Sequence, residues 1–309
     1  MQPLGMRLAG GSTPALDRFG VDSEHGRMRD VLLGDPATFR WLGIENATYS
    51  ALVRDTLRRG HRFDRERALA QHGEMVGAFR DAGVAVHLLD AREEQAYGVY
   101  TRDSSVMTPW GAIVCQLANP RRRGEYASCL DFYAGAGIPV YDMVTAGNFE
   151  GGDFALVAPG AALIGYTGVR SEEVGARQVG GWLEAEGWDV CYAPIDEFYV
   201  HLDLMVCMVA PGLAAVCTDT TDPVVVRWLE AKGIEIVPVG FRETIGLGCN
   251  VVALGGDRVI SSAFATDLNE RLRALGLTVY DPDMSQFQLA GGGVHCLCQP
   301  LARDPGLDG

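Results

Sequence analysis

Five stretches of the chain repeat one pattern, in which an amphipathic segment ends at a glycine and a short apolar run follows directly. Glycine suits the left-handed position just past the last helical turn, and the apolar run is typical of a strand. The five stretches are RDAGVAVHLLD, GAGIPVYDMV, AEGWDVCYAP, AKGIEIVPV and ALGLTVYDP. The recurrence predicts an α/β protein with internal pseudo-symmetry, built either as blades around an axis or as layers of a doubly wound sheet.

No linker or low-complexity tract separates the repeated units in the sequence. The loops before and after them carry the polar clusters YTRDSS, NFEGGDF, YVHLDL and GGGVHC. A length of 309 residues with 48% hydrophobic content is enough to bury a substantial core. We therefore expect a single catalytic domain over residues 1–309 with one central site.

Acidic residues outnumber basic ones by 40 to 26, which gives a formal net charge of -14. This charge opposes binding to nucleic acid or to anionic membranes. No apolar run approaches the roughly 20 residues that cross a bilayer. The N-terminal MQPLGMRLAGG lacks the continuous apolar core of a signal peptide. The sequence predicts a cytoplasmic protein with no nucleic-acid or membrane partner.

Eight cysteines are scattered through apolar contexts: Cys115, Cys129, Cys191, Cys207, Cys217, Cys249, Cys296 and Cys298. This distribution is unlike a small disulfide framework, so we expect most of them to be reduced, buried thiols. The one close pair, Cys296 and Cys298, stands beside His295, but its spacing does not match a zinc knuckle. We expect no metal and no cofactor.

Several charged residues of the polar clusters each allow a purely structural explanation. Asp103 could cap a turn, and Glu150 and Asp153 could be solvated loop carboxylates. His201 and Asp203 could lie at the end of a strand. The surrounding sequence favours a functional interpretation, because these groups are embedded in apolar runs where an unpaired charge is costly to bury.

Buried carboxylates need cationic partners, and the chain offers few nearby, with Arg102 and Arg170 the clearest. A cationic ligand held by several carboxylates is therefore a reasonable inference. A planar guanidinium, with five N–H donors in a fixed fork, is one cation that two carboxylates can bind bidentately.

A run of three glycines stands shortly before Cys296, where it permits close backbone approach and unusual dihedral angles. A thiolate near a cation or an imidazolium has a lowered pKa. With His201 as the proton carrier, these residues predict nucleophilic catalysis by Cys296.

Four motifs, YTRD, EGGD, HLD and GGGVHC, occur in this order over nearly the whole chain. Together they resemble the guanidino-group modifying enzymes, which include arginine deiminases, dimethylarginine dimethylaminohydrolases and arginine amidinotransferases. The resemblance implies a five-bladed pseudo-symmetric α/β propeller, the pentein fold, with a guanidino substrate in its central channel. It implies no requirement for a metal.

The resemblance also implies a catalytic set of Cys296, His201 and Glu150. Cys296 would attack the guanidino carbon to form a tetrahedral and then a thiouronium intermediate. His201 would protonate the departing amine and later activate water. Asp103 and Asp203 would hold the guanidinium nitrogens, and Glu150 would contribute further negative charge and hydrogen bonding. Carboxylates that orient a guanidinium also stabilise the charge that develops at nitrogen.

Three further residues have roles implied by the resemblance. Asp153 would support His201 or the loop of Glu150. Arg122 and Arg170 match positions where relatives place arginines against the carboxylate of the substrate, which an arginine fork suits. A solvated surface position is the structural alternative for both arginines.

Two positions depart from the family pattern. Tyr97 stands where deiminases and dimethylarginine hydrolases carry an amide or an acid. Gly291 replaces the arginine that deiminases place five residues before the cysteine. These departures count against free L-arginine as the substrate. The chain is also too short for the extra helical insertion of arginine deiminases, so a compact family member acting on arginine or another guanidino acid fits better. Cys298 would point away from Cys296 in an extended segment and pack in the core.

Hydrolysis is the leading interpretation, because EGGD with its glutamate is similar to the hydrolytic members. GGGVHC and MVAPG are similar to amidinotransferases, so transfer of the amidino group to an amine is the alternative. Asp203 counts against a dimethylarginine hydrolase, since a methylated nitrogen cannot donate to a second carboxylate. A non-catalytic binding propeller is disfavoured, because it has no reason to keep these reactive groups together. A homodimer is a common state for such a protein.

Overall fold

Fifteen strands form five three-stranded sheets in a computed structural model that describes residues 16, 18–43 and 50–306. The strands are β1 (Met28–Gly34), β2 (Ala85–Leu89), β3 (Ser105–Thr108), β4 (Gly111–Val114), β5 (Val140–Met143), β6 (Phe154–Ala158), β7 (Ala161–Tyr166), β8 (Asp189–Pro194), β9 (Val206–Ala210), β10 (Leu213–Val216), β11 (Glu235–Pro238), β12 (Val252–Gly255), β13 (Arg258–Ile260), β14 (Thr278–Tyr280) and β15 (Cys298–Arg303). The sheet orders are β15-β1-β2, β3-β4-β5, β6-β7-β8, β11-β10-β9 and β12-β13-β14. The prediction about the N-terminal MQPLGMRLAGG lies outside the described residues.

The helices within the described residues are α1 (Ala51–Arg58), α2 (Arg65–Asp81), α3 (Tyr126–Ala136), α4 (Glu173–Ala185), α5 (Pro223–Ala231), α6 (Phe241–Thr244), α7 (Thr266–Ala274) and α8 (Ser285–Gln288). None of these helices is both long enough and apolar enough to pass through a bilayer. Five of them, α2, α3, α4, α5 and α7, each connect the middle strand of a sheet to its parallel third strand.

Each sheet has the same plan, in which an antiparallel pair of strands is completed by a third strand parallel to the middle one. In the first sheet the antiparallel partner of β1 is β15, the last strand of the chain. The first and last of the described strands therefore pair in one blade and close the ring of five. The predicted five-bladed pseudo-symmetric α/β propeller is confirmed, and the layered doubly wound sheet is excluded.

The glycine that follows each of the five connecting helices has a positive φ. The angles are 79° at Gly83, 74° at Gly137, 84° at Gly187, 73° at Gly233 and 88° at Gly276. At the last four positions an added Cβ would meet no atom within 4 Å. The left-handed backbone, rather than a lack of space, therefore favours glycine, and the predicted helix, glycine, strand unit is confirmed five times.

Several strands of the blades are buried along their whole length, as β3, β4 and β15 illustrate. Their side chains are mostly apolar, as expected for strands covered on both faces. Each of the short loops just before the first strand of a blade carries at least one buried polar side chain. This arrangement determines where the candidate site lies.

Candidate active site

The predicted site residues occupy equivalent positions in different blades, in the loop before the strand that opens the blade. They are Asp103 before β3, Glu150 and Asp153 before β6, His201 and Asp203 before β9, and Cys296 before β15. Each is at most 4% exposed. Equivalent loops of a propeller face one axis, so residues far apart in the chain converge there.

The fifth blade contributes Asn250, two residues before β12, which the sequence analysis missed. Asn250 Nδ2 donates a hydrogen bond to Cys296 Sγ at 3.3 Å. A signal for it was available in the sequence, because Asn250 precedes its strand just as Asp103 and Cys296 precede theirs.

Cys296 lies between a hydrogen-bond donor and an acceptor. Its Sγ accepts from Asn250 and donates to Asp203 Oδ2, the second contact also at 3.3 Å. Burial raises the pKa of this thiol well above its ordinary value, and the carboxylates of Asp203 and Asp103 raise it further. Cys296 is therefore a neutral thiol at neutral pH until a cation is added nearby.

His201 contacts two carboxylates. Its Nε2 lies 2.8 Å from Glu150 Oε2, and its Nδ1 lies 3.7 Å from Asp103 Oδ1. Burial lowers the pKa of this imidazole, but Asp103 and Glu150 more than offset burial and raise it to about 9. His201 is thus an imidazolium at neutral pH, able to donate a proton. A Cβ at Gly152 would lie 2.5 Å from His201 Nδ1, so the second glycine of the EGGD motif leaves room for the imidazole ring.

Glu150 is fully buried and carries two further contacts. Its Oε2 pairs with the guanidinium of Arg170, and its Oε1 accepts a hydrogen bond from the backbone N–H of Ala118 at 2.9 Å. Burial raises the pKa of this carboxyl, but Arg170 and His201 outweigh burial and hold it well below its ordinary value. Glu150 is therefore ionised and stabilises the imidazolium of His201.

Arg122 joins Asp103 to Glu125. Its Nη1 donates to Asp103 Oδ2 at 2.7 Å, and its Nη2 donates to Glu125 Oε2 at 2.8 Å. Arg122 and Arg170 are only 4% and 7% exposed, so neither lies on a solvated surface. We call this connected set of three carboxylates and three cations the pocket-side charge network: Glu125, Arg122, Asp103, Arg170, Glu150 and His201.

A second set of charged residues, the rear charge network, consists of Asp203, His295, Glu24 and Arg102. Asp203 Oδ2 lies 2.9 Å from His295 Nδ1, and Glu24 Oε1 lies 3.3 Å from His295 Nε2. The sequence analysis missed Glu24, which lies in a polar stretch without a motif, and considered His295 only as a zinc ligand.

Asp153 lies behind His201 and does not reach the pocket. Its Oδ1 accepts a hydrogen bond from the backbone N–H of Leu202 at 2.8 Å, which ties the two turns before β6 and β9 together. Burial raises the pKa of this carboxyl to about 6, although His201 lowers it in part. The supporting role of Asp153 stays a prediction, and this hydrogen bond favours it.

A pocket that is partly open to solvent lies in front of the cysteine. Five predicted residues line it: Asp103, Arg122, Arg170, His201 and Cys296. Apolar and aromatic side chains line much of the rest: Leu42, Val53, Tyr97, Tyr100, Val200 and Ala290. Glu150, Asp153 and Asp203 do not line the pocket. Charged groups beside an apolar wall suit a ligand with one ionic end and an apolar stem.

The two positions that depart from the family pattern both line this pocket. The ring of Tyr97 lies 5.7 Å from the guanidinium carbon of Arg122, within cation–π distance. Gly291 has a φ of 97°, and an added Cβ would lie 3.1 Å from Val53 Cγ2. The local backbone is therefore unfavourable for an arginine at position 291.

All eight cysteines are free and buried, as predicted. Cys298 opens β15, is 0% exposed, and donates a hydrogen bond to the carbonyl of His295 at 3.5 Å. This burial agrees with the expected packing position.

Within the described residues, Asp103, Glu150 and His201 place potential metal-ligand atoms within 4.8 Å of one another. The same carboxylates already pair with Arg122 and Arg170, and these cations compete with any metal for the oxygens. The absence of a metal requirement stays a prediction.

Comparison with known families and proteins gives concordant results. Residues 42–303 match the family model described as N,N dimethylarginine dimethylhydrolase, eukaryotic. Over 282 residues the chain is 26% identical to the uncharacterized protein YkgA of Bacillus subtilis, which covers 91% of this chain and 94% of that protein. It is 24% identical to the bifunctional arginine dihydrolase/ornithine cyclodeaminase AgrE of a Nostoc species, over 77% of this chain but only 34% of that longer protein.

Solved structures show the same fold. The N-terminal domain of the cyanobacterial arginine dihydrolase ArgZ, bound to its substrate, has a TM-score of 0.77 at 21% identity and covers 89% of this chain and 98% of that one. The dimethylarginine dimethylaminohydrolase of Pseudomonas aeruginosa, in complex with citrulline, has a TM-score of 0.71 at 22% identity. It covers 88% of this chain and 99% of that one.

Proposed function

The chain belongs to the N,N dimethylarginine dimethylhydrolase family of guanidino-group modifying hydrolases, and from this premise we propose that it hydrolyses the guanidino C–N bond of arginine or a related guanidino acid. Cys296 is the nucleophile in this proposal, and His201 moves the proton. The reaction releases an amine or ammonia and leaves a ureido product.

One observation carries the proposal: two buried carboxylate oxygens, Asp103 Oδ1 and Asp203 Oδ1, accept no hydrogen bond from the described residues, and the ion-pair contact of Asp103 Oδ1 with His201 Nδ1, at 3.7 Å, is longer than a hydrogen bond. Their carboxylates flank the thiol, since Asp203 contacts Cys296 and Asp103 lines the same pocket. An unpaired buried acceptor costs free energy, so such oxygens favour a ligand that brings N–H donors. A guanidinium brings five donors in one plane.

The charge balance of the site favours activation of Cys296 by the substrate. In the pocket-side charge network three carboxylates face three cations when His201 is protonated. A bound guanidinium adds one positive charge close to the thiol, which lowers the thiol pKa by direct attraction to the thiolate. The thiol proton leaves to solvent as the cationic substrate binds.

The chemistry then follows in two halves. The thiolate of Cys296 forms a bond to the guanidino carbon, and the C–N bond breaks as the leaving nitrogen takes the proton of His201, which leaves a thiouronium. His201, now neutral, takes a proton from water, and the resulting hydroxide attacks the same carbon. The C–S bond breaks, the thiolate is regenerated, the proton of the added hydroxyl group leaves to solvent, and the neutral ureido product departs.

The charged cluster beside the thiol and the apolar wall of the pocket indicate the substrate class. Asp103 and Asp203 together offer acceptors for an unsubstituted guanidino group, which favours arginine or another guanidino acid over dimethylarginine. Arg122 and Arg170 supply the positive groups against which a substrate carboxylate would lie. The apolar wall that includes Val53 and Tyr97 would cover the stem between the two ends.

A panel of guanidino compounds tests this proposal. Purified protein is incubated with arginine, methylated arginines and other guanidino acids, each alone and then with glycine, and ammonia, ureido product and ornithine are quantified. We expect ammonia and a ureido compound without any acceptor. Ornithine and a new guanidino compound that require glycine would identify an amidinotransferase instead, and ornithine without an acceptor would identify a dihydrolase.

Two variants link the activity to the site. Cys296→Ser should reduce turnover by a factor on the order of 1,000 or more, because attack and proton transfer act as a unit. Cys191→Ser, which removes a buried thiol elsewhere, is the matched control and should keep parental turnover. A haloacetamidine should label Cys296 faster than the other seven cysteines, and equal slow labelling of all eight would favour a non-catalytic binding propeller.

A further inference from the structure

His295 lies between two carboxylates. Its Nδ1 is 2.9 Å from Asp203 Oδ2, and its Nε2 is 3.3 Å from Glu24 Oε1. A neutral imidazole has one N–H and one lone pair, so one of these contacts would place a lone pair against a carboxylate oxygen. Only the imidazolium donates from both nitrogens. The geometry therefore requires a protonated His295 when both carboxylates are ionised.

The surroundings of His295 support that state. Burial lowers the pKa of this imidazole and so does Arg102, but Glu24 and Asp203 raise it by more, and the net shift is upward. Arg102 Nη1 also lies 3.5 Å from Glu24. The rear charge network thus alternates Asp203, His295, Glu24 and Arg102 as anion, cation, anion, cation.

Asn250 connects this network to the cysteine through three hydrogen bonds. Its Nδ2 donates to Cys296 Sγ at 3.3 Å and to the carbonyl of Asp203 at 3.0 Å, and its Oδ1 accepts from the backbone N–H of His295 at 3.0 Å. A Cβ at Gly293 would lie 2.4 Å from Asn250 Oδ1, so the glycine leaves room for this approach. The loop before β15 is therefore held in one register.

We propose that His295 is a positioning residue for the reaction: as an imidazolium it holds Asp203 Oδ2 against the thiol of Cys296 and balances the charge of that carboxylate. This inference rests on the proposed role of Cys296. Neither His295 nor Glu24 lines the pocket, so His295 acts through Asp203 and does not touch substrate. The groups whose charges face the cysteine are Asp203 and Asp103, and both disfavour the thiolate. Loss of the positive charge at His295 would leave the repulsion between Asp203 and the thiolate less compensated, so the pKa of the Cys296 thiol would rise further.

The reactivity of Cys296 towards iodoacetamide, followed by mass spectrometry at pH 8, measures this effect without a substrate. We expect His295→Asn, which keeps an N–H donor but not the charge, to slow alkylation about tenfold, equivalent to about one pKa unit of the thiol. His295→Leu, which removes donor and charge, should slow it further. His72→Asn, which alters a buried histidine outside the site, is the matched control and should leave the rate unchanged.

Parental alkylation rates in folded His295→Asn and His295→Leu would overturn the inference. If both variants fail to fold, the ring nitrogen chemical shifts of His295 in the parent protein decide, because a neutral tautomer at pH 7 would also overturn it. Failure of the proposed function gives a different pattern, in which the parent protein converts no guanidino compound although the His295 variants still slow alkylation.

Discussion

The pocket-side and rear charge networks meet at Cys296 and are built from the same kinds of residue, but they differ in what they can reach. Four members of the pocket-side network line the pocket, and no member of the rear network does. A ligand can therefore contact the first network directly, whereas it senses the second only through Asp203 and the thiol. The difference separates residues expected to alter substrate binding from residues expected to alter cysteine reactivity.

The largest expected effect is the loss of the pocket-side imidazole. His201→Ala should lower kcat by about 100-fold to 10,000-fold, because it removes the group that carries the proton in both halves of the proposed reaction. Steady-state kinetics on the substrate identified by the panel measures this loss of kcat, and His295→Asn is measured in parallel for comparison. A loss in His201→Ala as small as the roughly tenfold effect expected for His295→Asn would remove the functional distinction between the networks.

An intermediate effect is expected when each network loses its arginine. Arg122→Met removes the ion-pair partner of Glu125 and the shortest ion pair of Asp103, and Arg102→Met removes one of the cations around Glu24. Each change should reduce the free energy of unfolding by about 3 kcal/mol, because a buried charge loses its counter-ion. Urea unfolding measures this loss.

Substrate affinity should distinguish the same two variants. Only Arg122→Met should raise KM for a substrate that carries a carboxylate, because Arg122 lines the pocket and Arg102 does not. The exposed pair of Arg67 and Asp283 provides the control, since Arg67→Met should leave both KM and the free energy of unfolding close to the parental values. An equal rise in KM for Arg102→Met would contradict the separation.

The smallest expected effect is a shift in pH dependence. The pKa of His201 is raised to about 9, so the proton needed by the leaving group is present below pH 9 and lost above it, and kcat/KM should fall on that basic side. Glu150→Gln removes one of the carboxylates that raise this pKa, so the fall should begin about one pH unit lower or more.

The control for the pH experiment is Glu125→Gln. It makes the same chemical change in the same network, but Glu125 pairs with Arg122 and not with His201. The fall of kcat/KM at high pH in Glu125→Gln should occur at the same pH as in the parent protein. If kcat/KM of Glu150→Gln also falls at the parental pH, Glu150 does not maintain the imidazolium of His201.

Much of the fold could be predicted because its determinants are local. A glycine such as Gly187 or Gly233 ends a helix through its own backbone freedom, and the apolar run that follows predicts a strand regardless of the rest of the chain. Local sequence features could not decide between blades around an axis and layers of a doubly wound sheet. It depended on β15 pairing with β1, which joins the last described strand to the first.

The site divides in the same way. Cys296, His201 and Glu150 could be named from motifs, since their neighbours in sequence mark them. Glu24 could not, because its partner His295 is 271 residues away and the stretch around Glu24 resembles an ordinary polar loop. Asn250 falls between these cases, as its position before a blade's first strand becomes meaningful only once the blades are recognised.

The amino-acid sequence by itself determined the repeating unit, the fold family and which reactive groups the chain contains, because capping, periodicity and motif spacing act over short segments. The tertiary structure alone decided which charges are neighbours. Closing five blades around one axis buries these groups together, and inside a poorly solvated centre the identity of the nearest opposite charge determines the protonation state of each.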